Sequence, residues 1–306
     1  MRQGVLSGRN KIMKKVLITG ENSYIGKNFA ERAENFHSSE IRVETLDMHG
    51  EKWREKNFSG FDAVFHVAGI AHSDSGKESE EEKKRYFAIN RDLAVKTAEK
   101  AKKDGVKQFI FMSSMLVYGS EYSRINKNTE PKPVLCYAQS KWQADEKIRE
   151  LSDENFFVSI MRPPMIYGKN CKGNYPLLSK IAKISPVFPN YKNERSMCYI
   201  ENFCEFVCQV IIKNLSGIFF PQNSEYVQTS EMVKTIAKVA EHKIFVSRIF
   251  NFLVYIAGHI KPFRIAERVN KAFSTLTYDK SMSEYDFDYR VKDFEQSIKF
   301  IEACRS

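Results

Sequence analysis

The run Val16-Leu17-Ile18-Thr19-Gly20-Glu21-Asn22-Ser23-Tyr24-Ile25-Gly26 decides the fold. Its first three residues are apolar throughout and read as a strand covered on both faces. A helix begins at Ser23 or Tyr24 and carries on through Asn35. Gly20 permits the sharp turn between the two elements, and Gly26 lets helix and strand pack closely. A helix that opens directly after a strand aims unpaired N–H groups and the positive end of its dipole at an anion such as a pyrophosphate. Ser23 stands where such loops commonly place a third glycine. Its small hydroxyl side chain still allows close approach and can donate to phosphate.

Downstream, short β-rich runs alternate with longer helical patterns. Arg42–Leu46, Ala63–Val67, Gln108–Met112 and Phe157–Met161 read as strands. Glu80–Asp104, ended by Gly105, and Tyr137–Leu151 read as helices. Apolar strands separated by helices imply a parallel sheet covered on both faces, an α/β doubly wound (Rossmann-type) architecture. From Arg162 the alternation breaks at Pro163, Pro164, Pro176, Pro186 and Pro189, and helices follow over Ile200–Asn214 and Ser230–Glu241. The expected organisation is a basic, polar tail over 1–13, a dinucleotide-binding core over 14–168, and a smaller, mostly helical substrate-binding lobe over 169–306 with segments returning to the core.

The chain has 306 residues, 42% of them hydrophobic and 28% charged, the balance of a folded soluble protein. A formal net charge of +10 suits anionic partners. The lysines are interleaved with glutamates, and no basic tract interleaved with aromatics or zinc-finger spacing points to nucleic acid. The six cysteines form no CxxC pair, and no third ligand completes a metal site beside Cys204 and Cys208. Reduced thiols and the lack of a signal-peptide pattern lead to the expectation of a cytoplasmic protein without a bound metal. No run of 18 apolar residues predicts a membrane span. Ile244–Ile260 reads as an amphipathic helix packed on the C-terminal lobe, so no membrane partner is expected; a lipid-facing anchor over Ile244–Lys261 is the alternative.

Asp47 closes the second strand, 27 residues past Gly20. A carboxylate there can accept both ribose hydroxyls of adenosine and repels a 2′-phosphate, which selects NAD over NADP, although nearby Arg42 and Lys52 keep NADP open. The third strand ends in Val67-Ala68-Gly69, small enough for a cofactor to cross the backbone, with His66 read as structural. The fourth strand runs into Ser113-Ser114, and Tyr137-Ala138-Gln139-Ser140-Lys141 opens the later helix. A spacing of four puts Tyr137 and Lys141 on one helix face. The ammonium is expected to favour the phenolate: lowering the phenol by roughly three units takes about 4 kcal/mol, shared between Lys141 and a cationic nicotinamide. Tyr137 would then exchange a proton with a hydroxyl while a hydride moves.

Together these segments, with Gly105-Val106-Lys107-Gln108-Phe109, Ser113–Gly119 and Arg162-Pro163-Pro164-Met165-Ile166-Tyr167-Gly168, resemble the extended short-chain dehydrogenases/reductases, the NAD-dependent sugar epimerase/dehydratase group. The resemblance covers roughly residues 14–210 and departs from the pattern at Ser23 and beyond Phe245. It implies Ser114, Tyr137 and Lys141 as the catalytic set, with Lys141 also on the nicotinamide ribose. It implies cofactor contacts at Gly20, Ser23, Tyr24, Ile25, Gly26, Asp47, Val67, Ala68, Gly69, Tyr137, Lys141 and Pro164. Ser114, Asn174 and Arg195 become substrate contacts, Arg195 toward a diphosphate, and Asn90 a structural asparagine near the site. Dehydratases of this group often carry an Asp-Glu pair after the catalytic hydroxyl; Met115-Leu116 stands there and disfavours dehydration. The activity implied is a nucleotide-sugar 4-epimerase on a UDP-hexose or UDP-N-acetylhexosamine. A 4-keto reductase or dehydrogenase, or a non-catalytic NAD-binding protein, are the alternatives. A homodimer through the helices near Lys84–Lys103 and Tyr137–Leu151 is the family-level expectation.

Overall fold

The computed structural model describes residues 13–70, 79–259, 269 and 272–303, with the backbone alone at 253 and 257–259. The tail over 1–12, Cys304 and the end of the Ile244–Lys261 segment lie outside the described residues.

β1 (Lys14–Thr19) leads into α1 (Tyr24–Phe36), followed by β2 (Ile41–Leu46) and β3 (Ala63–His66). Val16, Leu17 and Ile18 are fully buried, each worth roughly 1.5–3 kcal/mol relative to an exposed position. α1 buries Gly26, Phe29 and Ala33 on one face, at helical spacing. The predicted long helix is present as α2 (Glu80–Tyr86) and α3 (Ala94–Lys103), joined by a wider π-helical stretch over Phe87–Leu93. A capping box between Ser79 and Glu82 starts it, and Gly105 with φ +84° ends it. β4 (Gln108–Met112) follows, then the two-residue β5 (Arg124–Ile125), α4 (Cys136–Glu150), β6 (Phe157–Met161) and β7 (Met165–Tyr167).

In the C-terminal part come α5 (Asn174–Ile184), β8 (Val187–Pro189), β9 (Met197–Tyr199), α6 (Ile200–Ile212), β10 (Gly217–Phe219) and α7 (Thr229–Val239). β11 (Phe245–Ser247), α8 (Asn251–His259), β12 (Thr277–Tyr278) and α9 (Phe294–Ala303) complete the chain. The expected single helix over Ile244–Ile260 is therefore corrected. Its first residues form β11, which pairs in parallel with β8, and a 3-10 turn over Arg248–Phe250 precedes α8. Phe245 and Val246 are β-formers that a neighbouring strand recruits, a tertiary effect that overrides local pattern.

The main sheet has six parallel strands in the order β10-β6-β4-β3-β1-β2. The doubly wound parallel sheet is as expected, with β10 added at the edge beside β6. The chain passes from β1 outward to β2 and then returns to β3 on the other side of β1. That reversal opens a crevice beyond the carboxyl ends of β1 and β3, where such sheets bind their ligands.

Candidate active site

The first wall of the crevice is the β1–α1 turn. Gly20 has φ +113°, and a Cβ built on it would lie 2.8 Å from the Ala68 nitrogen. Only glycine lets these two loops meet. Ala68 N–H donates to the Thr19 carbonyl at 2.8 Å, which ties the end of β3 to the end of β1. Ser23 is the N-cap of α1: its Oγ accepts from Gly26 N–H at 3.1 Å. The hydroxyl that replaces the missing glycine thus holds the helix start and keeps its own proton for donation. Tyr24 and Ile25 form the first turn. This glycine cradle at a helix N-terminus fits a dinucleotide pyrophosphate.

Asp47 follows β2 at the rim. Its Oδ1 accepts from the backbone N–H of His49 at 3.0 Å and lies 2.6 Å from His49 Nδ1. These hydrogen bonds hold its carboxyl below the ordinary range. It is an exposed anion at the place expected of a ribose contact.

On the far side of the switch point, Val67 and Ala68 are buried and Gly69 lies open. A Cβ on Gly69 would stand 2.9 Å from Asn90 Oδ1 and 3.2 Å from Lys141 Nζ. Asn90 sits on the π-helical stretch, fully buried. It accepts from Ile70 N–H at 2.9 Å and donates back to the Ile70 carbonyl at 3.2 Å and to Ser140 Oγ at 3.3 Å. The widened helical turn delivers this side chain between the β3 loop and α4.

The catalytic candidates meet at the end of β4. Ser114 caps the turn over Met115–Tyr118, and its side chain hydrogen-bonds Tyr137. Lys141, one helical turn beyond Tyr137, donates to the Met112 carbonyl at 2.8 Å. Its ammonium is 5.0 Å from the Phe111 ring centre. The Tyr86 ring meets Tyr137 edge-on at 6.0 Å. Met115 N–H donates to the Pro163 carbonyl at 3.0 Å, so Pro164 lies against the same turn.

Here the electrostatics correct one expectation. Burial pushes the Tyr137 phenol up, against the pull of its Ser114 hydrogen bond, and the Tyr86 phenol adds to the rise. Burial also draws Lys141 down to about 8. Lys141 is not among the groups that pull the phenol down: desolvation penalises the phenolate, and the ammonium donates to the Met112 carbonyl.

Two side chains behind the site, Asp145 and Arg162, are given no role by the sequence analysis. Asp145 lies a further four residues along α4, which continues the Tyr137, Lys141 spacing. It accepts from Ser113 Oγ at 2.9 Å and pairs with Arg162 Nε at 2.9 Å. Arg162 also donates to the Tyr118 hydroxyl at 2.8 Å. The i, i+4, i+8 series was the available signal. The expected substrate contacts lie on other elements. Asn174 is the first residue of α5, after Gly173 with φ +96°. Arg195 donates to the Ser274 carbonyl and hydroxyl at 3.2 and 2.9 Å, and burial brings it down to about 10.

His66 is structural, as expected: it is fully buried, with Nδ1 2.8 Å from Thr19 Oγ1.

Residues 16–218 match the model of the "NAD dependent epimerase/dehydratase family". Two curated relatives are similar over most of the chain. One is an N-acetyl-alpha-D-glucosaminyl-diphospho-ditrans,octacis-undecaprenol 4-epimerase of Escherichia coli O157:H7, 28% identical over 66% of this chain and 64% of the relative. The other is a UDP-glucose 4-epimerase of Vibrio cholerae, 27% identical over 76% of this chain and 77% of the relative. The chain thus spans just under two thirds of the first of these proteins. Among solved structures, a UDP-N-acetylglucosamine 4-epimerase from Bacillus cereus shares the fold, with TM-score 0.73 at 17% identity, covering 96% of this chain and 100% of that one. The family match extends over most of the chain, from β1 to β10, and the chain belongs to the NAD dependent epimerase/dehydratase family.

Proposed function

We propose that the chain is a 4-epimerase of a diphosphate-linked hexose, with a UDP-hexose or UDP-N-acetylhexosamine as substrate and Ser114, Tyr137 and Lys141 as the catalytic set. The observation that carries the reading is the joint placement of the Ser114–Tyr137 hydrogen bond and the buried Lys141 beside the β3 loop, one strand from the Gly20 cradle. Both sequence relatives are 4-epimerases, which supports it.

The cradle formed by Gly20, Ser23, Tyr24, Ile25 and Gly26 would hold the pyrophosphate, and Asp47 the adenosine ribose. Val67, Ala68, Gly69 and Pro164 would flank the rest, with Tyr137 and Lys141 on the nicotinamide ribose. NAD, when bound, supplies the acceptor and later the donor of the C4 hydride, and its oxidised ring is a cation that opposes the rise in the Tyr137 phenol. Tyr137 takes the proton from O4 of the sugar and Ser114 holds the same oxygen, which yields a 4-keto sugar. Once the keto sugar has turned its other face, Tyr137 returns the proton to the newly formed hydroxyl. Arg195 and Asn174 are assigned to the substrate side, Arg195 toward the diphosphate.

The test is a panel of UDP-glucose, UDP-N-acetylglucosamine and a polyprenyl-diphosphate-linked N-acetylglucosamine, incubated with the purified chain. Interconversion at C4 without added NAD(H) is expected. A strict need for stoichiometric NAD(P)H and a keto-sugar would replace the reading with a reductase. Tyr137→Phe should abolish turnover while retaining NAD binding; unchanged turnover removes Tyr137 from this role.

A further inference from the structure

The segment expected to pack on the C-terminal lobe keeps much of its apolar surface outside. α8 contacts β8 along one side. On the other side Phe252, Tyr255 and Ile256 are 55%, 71% and 47% exposed. Their i, i+3, i+4 spacing puts them on one helix face. Ile249, 74% exposed, and Phe245, 63% exposed, precede it in the chain, in the 3-10 turn and in β11. Exposed aromatic and branched side chains clustered in this way along a short segment mark an interaction surface.

The chemistry around it selects the partner. A shallow pocket of about 450 Å³ beside Phe245 is lined by Lys234, Lys238, His242 and Lys243. Lys234 pairs with Glu231 at 2.8 Å, while Lys238 and Lys243 make no ion pair among the described residues. From 242 to 256 the sequence carries Lys243 and Arg248 and no aspartate or glutamate. No helix among the described residues is long and apolar enough to cross a membrane. An apolar face with basic flanks on a short helix has the composition of an element that lies in the membrane interface, its rings at the acyl boundary and its lysines at anionic headgroups.

We infer that this face docks the enzyme on an anionic phospholipid surface, with Ile249, Phe252, Tyr255 and Ile256 entering the interface and Lys238 and Lys243 contacting lipid phosphate. The inference does not depend on the catalytic reading. A folded but inactive protein would still dock, and an active one that fails to dock would refute only this surface.

The experiment is co-flotation of the full chain with vesicles of phosphatidylcholine containing about one third phosphatidylglycerol. Binding is expected, falling several-fold on pure phosphatidylcholine and again at about 0.5 M salt, because the headgroup attraction is screened. Ile249→Ser with Phe252→Ser should weaken it by about tenfold or more, through loss of two buried side chains. Lys238→Glu with Lys243→Glu, two changes at exposed lysines that leave the apolar face intact, should abolish the preference for phosphatidylglycerol. Circular dichroism should show the fold retained in both variants. Failure of the unaltered chain to float on anionic vesicles at low salt overturns the inference. So does flotation unchanged by both pairs of substitutions, or a dimer in sedimentation that the Ile249→Ser, Phe252→Ser pair dissociates, which would make a second copy the occupant.

Discussion

Asp145 and Arg162 form a two-point ion pair, 2.9 and 3.0 Å, with Asp145 fully buried and Arg162 3% exposed. Arg149 adds a third contact to the same carboxylate at 2.8 Å. The pair locks α4, which carries Tyr137 and Lys141, to the end of β6, and Ser113 brings in the end of β4. Removal of one partner strands a charge inside the protein, which costs far more than the pair contributes. Asp145→Ala is expected to destabilise the fold by about 3–5 kcal/mol, read as a lower urea midpoint at unchanged slope. Turnover should also fall although no group that touches substrate has been changed. A midpoint shift below about 1 kcal/mol would show that the network is dispensable.

Lys141 governs the alkaline side of the pH profile. Burial sets its ammonium near 8 while holding Tyr137 above its ordinary value, so Lys141 is the first of the two to lose its proton as pH rises. Turnover should decline above about pH 8. In Lys141→Arg the guanidinium does not titrate in that range. Its residual activity, expected to be lower by an order of magnitude or more, should lack the limb below pH 10. Persistence of the limb in Lys141→Arg would assign it to another group.

The parts of the fold that were legible in sequence are those held by local composition. β1, β3, β4 and β6 are apolar runs, and burial on both faces requires that of a parallel strand. β10 is only Gly217–Phe219, led by a glycine, and exists because β6 offers it an edge. The π-helical stretch around Asn90 was hidden because the apolar spacing of a long helix tolerates one widened turn. That Tyr137 and Lys141 share a helix face was legible through a spacing of four, and Ser114 beside them through the family resemblance. The direction of the Lys141 ammonium was not, because its acceptor is a backbone carbonyl on a distant strand and has no side-chain signature.

Asp47 separates the two nicotinamide cofactors. Its carboxylate is exposed and held ionised by His49, so it presents a negative charge at the rim of the crevice throughout the physiological range. Asp47→Ala should weaken NAD by about tenfold and weaken NADP much less, since the repulsion of the 2′-phosphate goes with the carboxylate. Fluorescence titration with both cofactors measures the two constants. An unchanged NAD to NADP ratio would place the adenosine ribose elsewhere.

Gly20→Ala tests the cradle itself. The new methyl would press on the Ala68 backbone at 2.8 Å, and the residue would have to hold φ +113°. Strain of this sort costs on the order of 1–3 kcal/mol, and relief requires that the β1 and β3 loops separate. The expected result is loss of NAD binding in calorimetry with a lowered melting temperature. Full NAD affinity in a stable variant would mean that the dinucleotide does not cross this turn.

His66 makes the fold sensitive to acid. It is stacked beside Phe109 and Phe111, and burial, with the Lys141 charge second, lowers it from 6.5 to about 3. The unfolded chain therefore binds this proton at a higher pH than the folded one. Stability contributed by the neutral ring is fully present above about pH 6.5 and is lost as pH falls toward 3, at up to about 1.4 kcal/mol per unit for one proton. Carboxylates that titrate in the same window add their own losses, so the informative quantity is the difference from a variant without the imidazole. His66→Asn can keep a hydrogen bond to Thr19 and has no proton to gain. Urea unfolding at about pH 7, 6 and 5 should give a shallower acid slope in this variant than in the unaltered chain, with the two curves converging downward in pH. Parallel curves would mean that the ring already takes up its proton inside the folded protein, against the desolvation that surrounds it.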